Sequence, residues 1–217
     1  MRPVGLFGGM FDPIHYGHLR TAHELHELLG LERLIFLPAG DPPHRAAPLA
    51  DAATRLAMVR AAAGEDPRFV VDDRELHRPG PSYTILTLEE MRAERGAQPI
   101  VLIMGMDAYA GIERWHRARE LSNLAHIVIA LRPKARLPKD GLAAELLREQ
   151  RCEDPARLAA APAGLVFVSE NTQLDLSSSA VRAVIAAGRD PRYLMPEAAR
   201  RIILTTGSYA RPGEKKE

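Results

Sequence analysis

The chain has 217 residues, enough for one domain with a sizeable buried core. Its 29 basic residues against 28 acidic ones leave a formal charge of +1, which argues against a general nucleic-acid binder but not against a small anionic ligand held by a local cluster. With 46% hydrophobic residues, no apolar run of membrane-spanning length and no leader-like segment before the first strand pattern, it reads as a globular cytoplasmic protein. The one cysteine, Cys152, allows no internal disulfide and fits a reducing compartment.

Residues 4–7 form an apolar run that reads as a buried strand. Gly8-Gly9-Met10-Phe11-Asp12-Pro13-Ile14-His15-Tyr16-Gly17-His18 follows, and a helical pattern covers residues 17–29. A strand that runs into glycines, paired histidines and a helix start is how an α/β protein builds a phosphate site. Glycines let backbone approach an anion, and the helix start offers unpaired N–H groups with a partial positive charge. Asp12 is expected to bond the loop's own backbone, Pro13 to stiffen the loop, and Tyr16 to point elsewhere. The histidines could instead be surface groups, or belong to a zinc site with His23 or His26, which would need further ligands at firm spacing.

A second apolar run, residues 34–37, leads to Pro42-Pro43, a stiff loop carrying His44 and Arg45 toward any anionic substrate at that strand's carboxyl end. A helix over 51–63 is expected to be capped by Asp51, and residues 69–71 read as a strand. Residues 78–84 read as loop, glycine turn and helix start. Ser82 is the expected cap of a helix over 82–94, and the exposed N–H groups there suit a carboxylate. After a strand over 100–104 come Gly105 and Asp107; the aspartate could cap a helix, bond a ribose hydroxyl or hold a magnesium-bound water. Trp115 opens a helix over 114–121 among Glu113, Arg114, His116 and Arg117, and a large ring in so polar a neighbourhood is a candidate stacking surface.

Further on, strands are expected over 127–131 and 165–168 and a helix over 142–148, with a basic, proline-bearing loop over 132–140 and an irregular connection over 151–164. Ser177 or Ser178 can cap a helix over 178–187. Ser178, Ser179 and Arg182 are then either a simple cap with a surface arginine or a second phosphate clamp. Pro196 suits the first turn of a last helix over 196–205, residues 1–206 read as one domain, and the polar residues 207–217 read as a frayed tail. Near-continuous apolar strands alternating with helices predict a doubly wound α/β fold, a mostly parallel sheet with helices on both faces.

The run GGMFDPIHYGHL resembles the signature GG-x-FDP-x-H-x-GH-L of the nucleotidyltransferase superfamily with the His-x-Gly-His motif. The chain is similar, more closely, to the bacterial nicotinate-nucleotide adenylyltransferases, from Val4 to about Thr206. Further matches are Pro42-Pro43-His44-Arg45, Arg78-Pro79-Gly80-Pro81-Ser82-Tyr83-Thr84, Gly105-Met106-Asp107, Trp115 and Ser177-Ser178-Ser179-Ala180-Val181-Arg182. Met10 and Ser179 stand where that family commonly has threonine; Met10 keeps its backbone groups and Ser179 keeps a hydroxyl.

The resemblance implies a Rossmann-like fold and adenylyl transfer from ATP to nicotinate mononucleotide in NAD biosynthesis, with Mg2+ arriving on ATP. It implies that His15, His18 and Arg182 are the catalytic groups. Gly8, Gly9, Met10, Phe11, Gly105, Asp107, Ser178 and Ser179 would complete the ATP site. His44, Arg45, Ser82, Tyr83, Thr84 and Trp115 would hold the mononucleotide, its pyridine ring on Trp115. Such chemistry needs positioning and charge stabilisation rather than a side-chain nucleophile. In keeping with that, the sequence has neither a Gly-x-Ser-x-Gly elbow nor a Walker loop. Two alternatives remain: nicotinamide mononucleotide as the substrate, or a non-catalytic nucleotide sensor on the same fold. An RNA-ligand synthetase fragment is disfavoured by the charge balance and by the lack of a Lys-Met-Ser-Lys-Ser loop. Neither nucleic acid nor membrane is an expected partner.

Overall fold

Residues alternate sides along a strand, so an uninterrupted apolar run feeds two cores at once. In the computed structural model, which describes residues 1–40, 47–64, 66–131, 136–172 and 174–210, the strands are used in this way. The first, β1 (Val4–Gly9), sends Phe7 into one core while Val4 and Leu6 enter the other. The same division separates Val101 and Ile103 from Ile100, Leu102 and Met104 on β4 (Ile100–Gly105).

The remaining strands are β2 (Arg33–Pro38), β3 (Phe69–Val71), β5 (His126–Ala130), β6 (Arg151–Cys152) and β7 (Val166–Ser169). Among the described residues they form one seven-stranded sheet of order β3-β2-β1-β4-β5-β7-β6, with every pairing parallel. One face is covered by α1 (Tyr16–Leu28), α2 (Ala52–Ala63), α8 (Ser178–Ala186) and α9 (Glu197–Thr206). The other carries α4 (Thr84–Arg95), α5 (Met106–Ala110), α6 (Leu121–Leu124) and α7 (Gly141–Gln150). A four-residue turn of helix, α3 (Arg74–His77), follows β3. The strand order reverses between β1 and β4, and the crevice outside the carboxyl ends at such a switch point is where open α/β sheets bind ligands.

Most expected elements stand within two residues of their sequence-predicted bounds. The single helix over 114–121 does not form. Two 3-10 turns, Ile112–Arg114 and Ala118–Glu120, precede α6, because Trp115 is extended and Arg117 is left-handed at φ 52°. Within the connection over 151–164 lie the two-residue strand β6 and a 3-10 turn, Pro155–Ala159. Asp51 caps α2 by accepting the Thr54 N–H, and Ser177 caps α8 by accepting that of Ala180. Ser82 does not cap α4: Tyr83 holds that position, and the buried Ser82 hydroxyl donates to the Glu75 carbonyl at 3.4 Å. Pro196 sits at the N-cap of α9, one place before its first turn. Residues 211–217 of the expected tail lie outside the described residues, while Tyr209, nearer α9, packs against the core.

Candidate active site

A cleft of about 590 Å³ opens over the carboxyl ends of β1, β4 and β5. That is an ordinary size for a small-molecule site. Its floor is the loop after β1. Gly8 is exposed there, and a Cβ on it would meet no protein atom within 4 Å, so any side chain would project into unfilled space.

The two histidines cap α1 reciprocally. His15 is the N-cap residue, and its Nδ1 accepts the Gly17 N–H at 3.1 Å, while the His15 N–H donates to Nδ1 of His18 at 3.3 Å. Their rings stack with centroids 3.8 Å apart. Because both Nδ1 atoms accept backbone protons, the neutral form of each ring carries its proton on Nε2. The His18 ring also meets Phe11 edge-on, with centroids 5.1 Å apart, so the aromatic core sets its orientation. Gly17 is required by this arrangement: a Cβ there would stand 2.9 Å from the His15 ring.

Asp12 does not bond its own loop, contrary to expectation. Its carboxylate accepts the N–H groups of Leu49 (2.9 Å) and Ala50 (3.1 Å) and the Tyr209 hydroxyl (2.7 Å). Its carbonyl accepts from Nη1 of Arg182 at 2.6 Å, and Nη2 of Arg182 donates to the Ser179 hydroxyl at 3.1 Å. Ser178 donates its hydroxyl to the Pro13 carbonyl at 2.9 Å, so α8 is stitched to the loop after β1 and the two halves of the expected phosphate site face one cleft. Beneath the loop lies Arg55, 1% exposed, whose Nη1 donates to the carbonyls of Met10 and Ala39. Burial lowers its pKa, offset in part by Asp12.

The same cleft is lined by Ser82, Tyr83, Thr84, Trp115 and His116. Tyr83 and His116 stack with centroids 4.4 Å apart, and Trp115 packs half-buried against the core. No side chain caps the N-terminus of α4, so its first-turn N–H groups are without that partner. The nearby Glu75 carboxyl is pushed up by burial, against the opposing bond from the Thr87 hydroxyl at 2.8 Å. Asp107, exposed in the first turn of α5, lines the cleft and forms no side-chain cap.

Every expected site residue that is described lines this one cleft, from Gly8, Gly9, Met10 and Phe11 to Gly105, Ser178, Ser179 and Arg182. His44 and Arg45 lie outside the described residues. Sequence reasoning passed over Thr21, Glu75, His116 and Asn171, which also line the cleft. Thr21 was within reach, being one turn beyond His18 on α1. Nothing local marks Glu75 or Asn171; they arrive from the short helix α3 after β3 and from the segment after β7. His23 pairs with Glu27 and Arg68, and among the described residues no group of three or more His, Cys, Asp or Glu side chains is placed to hold a metal ion.

A histidine-capped helix start and a serine–arginine helix start, facing one cleft at the switch point of a parallel sheet, define a nucleotide-binding α/β protein. In keeping with that class, a family model described as cytidylyltransferase-like matches residues 6–184. A protein of Halorhodospira halophila described as a probable nicotinate-nucleotide adenylyltransferase is 45% identical over 98% of this chain and 97% of its own length. Another so described, from Methylococcus capsulatus, is 44% identical over 96% of this chain and the whole of its own. The chain belongs to the cytidylyltransferase-like family and, within it, to the family of these nicotinate-nucleotide adenylyltransferase relatives. Among solved structures, the fold is like that of Plasmodium falciparum nicotinic acid mononucleotide adenylyltransferase complexed with NaAD. The TM-score is 0.72 at 14% identity, covering 96% of this chain and 98% of that one. The same enzyme complexed with APC gives a TM-score of 0.66, also at 14% identity, over 96% of this chain and 98% of that one.

Proposed function

We infer that the protein transfers the adenylyl group of ATP to nicotinate mononucleotide, giving deamido-NAD and pyrophosphate, a step of NAD biosynthesis. The observation that carries this reading is the joining of His15 and His18 to Arg182 through one loop, in a cleft that is also lined by aromatic side chains and an uncapped helix start. In the reaction a phosphate oxygen of the mononucleotide attacks the α-phosphorus of ATP. The bond from that phosphorus to the bridging oxygen breaks, and pyrophosphate leaves with its electron pair. No group on the protein is alkylated, acylated or phosphorylated. The protein's task is to hold two anions in line and to meet the charge that grows on the leaving group.

In this reading the Nε2–H groups of His15 and His18 and the start of α1 take the triphosphate. Arg182 and the first turn of α8 take the departing pyrophosphate. Gly8, Gly9, Met10, Phe11 and Gly105 supply backbone walls that phosphates and ribose can approach closely. Trp115 carries the pyridine ring, and the backbone N–H groups around Thr84 receive the nicotinate carboxylate. A cytoplasmic setting belongs to the same reading: the lone cysteine, Cys152, is buried, and among the described residues no helix is long and apolar enough to cross a membrane.

Magnesium fits the cleft as a companion of ATP. Of the carboxylates lining it, Asp12 has both oxygens engaged and Glu75 is buried against Thr87, while Asp107 stands exposed on the wall. One carboxylate can hold a water of a hydrated ion but cannot build a cage. When bound, the ion neutralises phosphate charge, and Asp107 is the residue that would hold its hydration shell.

A chromatographic assay of ATP, magnesium and each mononucleotide tests the reading. Deamido-NAD from the nicotinate substrate, in step with pyrophosphate, is the expected result. A protein that binds ATP but makes no dinucleotide from either mononucleotide would be a sensor instead.

A further inference from the structure

Asp12 is reached by a residue 197 positions further along the chain. After α9 the backbone turns through two left-handed residues, Gly207 at φ 68° and Tyr209 at φ 69°. Glycine occupies that region without strain, whereas a tyrosine there is strained by its Cβ. The turn lays the Tyr209 ring against the core beside α2 and α9 and brings its hydroxyl to Oδ1 of Asp12 at 2.7 Å. Packing alone would be served as well by phenylalanine, so the hydroxyl is the group to explain. Burial, and then the hydrogen bond to Asp12, raise its pKa, so it remains a donor throughout the neutral range.

The other end of Asp12 meets the candidate chemistry. Its carbonyl receives Nη1 of Arg182, and its carboxylate lies 3.9 Å from the same nitrogen. The carboxylate is itself fixed by Leu49, Ala50 and Tyr209, from two separate segments. Arg55 already holds the front of the loop at Met10, so the placing of Asp12 governs where its carbonyl holds the guanidinium that Arg182 extends from α8. We propose that Tyr209 is a positioning residue of the phosphate site, acting through Asp12 to place Arg182. This rests on the reading of Arg182 as the group that meets the leaving pyrophosphate.

Tyr209→Phe removes the hydroxyl and keeps the ring and its packing. The measurement is single-turnover and steady-state kinetics of Tyr209→Phe, Arg182→Ala and the double variant, each confirmed as folded by circular dichroism well below its unfolding temperature. Tyr209→Phe alone is expected to lower kcat roughly tenfold, as small misplacements of a positioned group do, while the KM for nicotinate mononucleotide stays within about twofold. In the Arg182→Ala background the same change is expected to alter kcat by less than about twofold, because the group it positions is gone. Full kcat in folded Tyr209→Phe would reduce the hydroxyl to a stabilising contact and overturn the proposal, as would an equal fold-loss in both backgrounds. A wild-type kcat in Arg182→Ala would instead remove Arg182 from the chemistry, and the proposal with it. The two failures are thus told apart by which single variant is silent.

Discussion

Each histidine of the pair serves the helix and the cleft together. His18 accepts the His15 N–H on Nδ1 and rests on Phe11, which fixes its Nε2 before any ligand arrives. Such preorganisation is what makes a donor effective on developing charge. His18→Ala is therefore expected to lower turnover by about a hundredfold or more, the loss typical of one preorganised donor. The missing cap bond should cost only about 1 kcal/mol, read as a small shift in the urea midpoint. A folded His18→Ala variant with wild-type turnover would contradict this role. The glycines, histidines and arginine were legible because their spacing follows a strand end or a helix start. The partners of Asp12 were not, since Leu49, Ala50 and Tyr209 are joined to it only by the fold.

Among the elements, the start of α4 is expected to set which mononucleotide is preferred, and the turns around Trp115 to hold the ring of either one. Sequence periodicity placed Trp115 on a regular helix. A left-handed Arg117 breaks that helix and leaves the ring on the cleft wall beside the stacked Tyr83 and His116. Stacking reads the face of a ring, so Trp115→Ala should weaken nicotinate and nicotinamide mononucleotides alike and keep their ratio of kcat/KM. The ratio should follow the start of α4, where no side chain competes for the N–H groups. Thr84→Pro removes one donor at a first-turn position that tolerates proline. A buried donor left unpaired costs about 1–3 kcal/mol, so a preference for the acid of roughly one to two decades is expected to shrink in this variant. An unchanged preference in Thr84→Pro, or a ratio reset by Trp115→Ala, would assign discrimination elsewhere. Of the short elements, β3 was legible as an apolar run, whereas β6, α3 and α5 were missed because their two to five residues carry neither such a run nor a readable period.

At the scale of the whole molecule, six of the seven described strands were legible because they are near-continuous apolar runs, and the parallel order follows from helices between strands. One consequence is a dependence of stability on pH. His126, fully buried at the start of β5, donates from Nε2 to the Ala161 carbonyl at 2.8 Å and accepts the Leu165 N–H on Nδ1 at 3.1 Å. The neutral ring is satisfied, and a second proton would face an N–H. Burial accordingly holds its pKa below the usual histidine value. For a histidine so lowered, the unfolded chain binds the proton first. The group's contribution is therefore complete above pH about 6.5 and is lost as pH falls from there toward the folded value. The urea midpoint should drop between pH 7.5 and 5.5, and His126→Gln should flatten that drop; parallel pH profiles for the two proteins would contradict the assignment.

The cleft, the helix starts and the switch point converge on adenylyl transfer, and pyrophosphate release tests that most directly. With ATP, magnesium and nicotinate mononucleotide, the account predicts release that needs both substrates, stops with a chelator, resumes with added magnesium and is faster than with the nicotinamide mononucleotide. Release from ATP alone, or none with either mononucleotide, would contradict it.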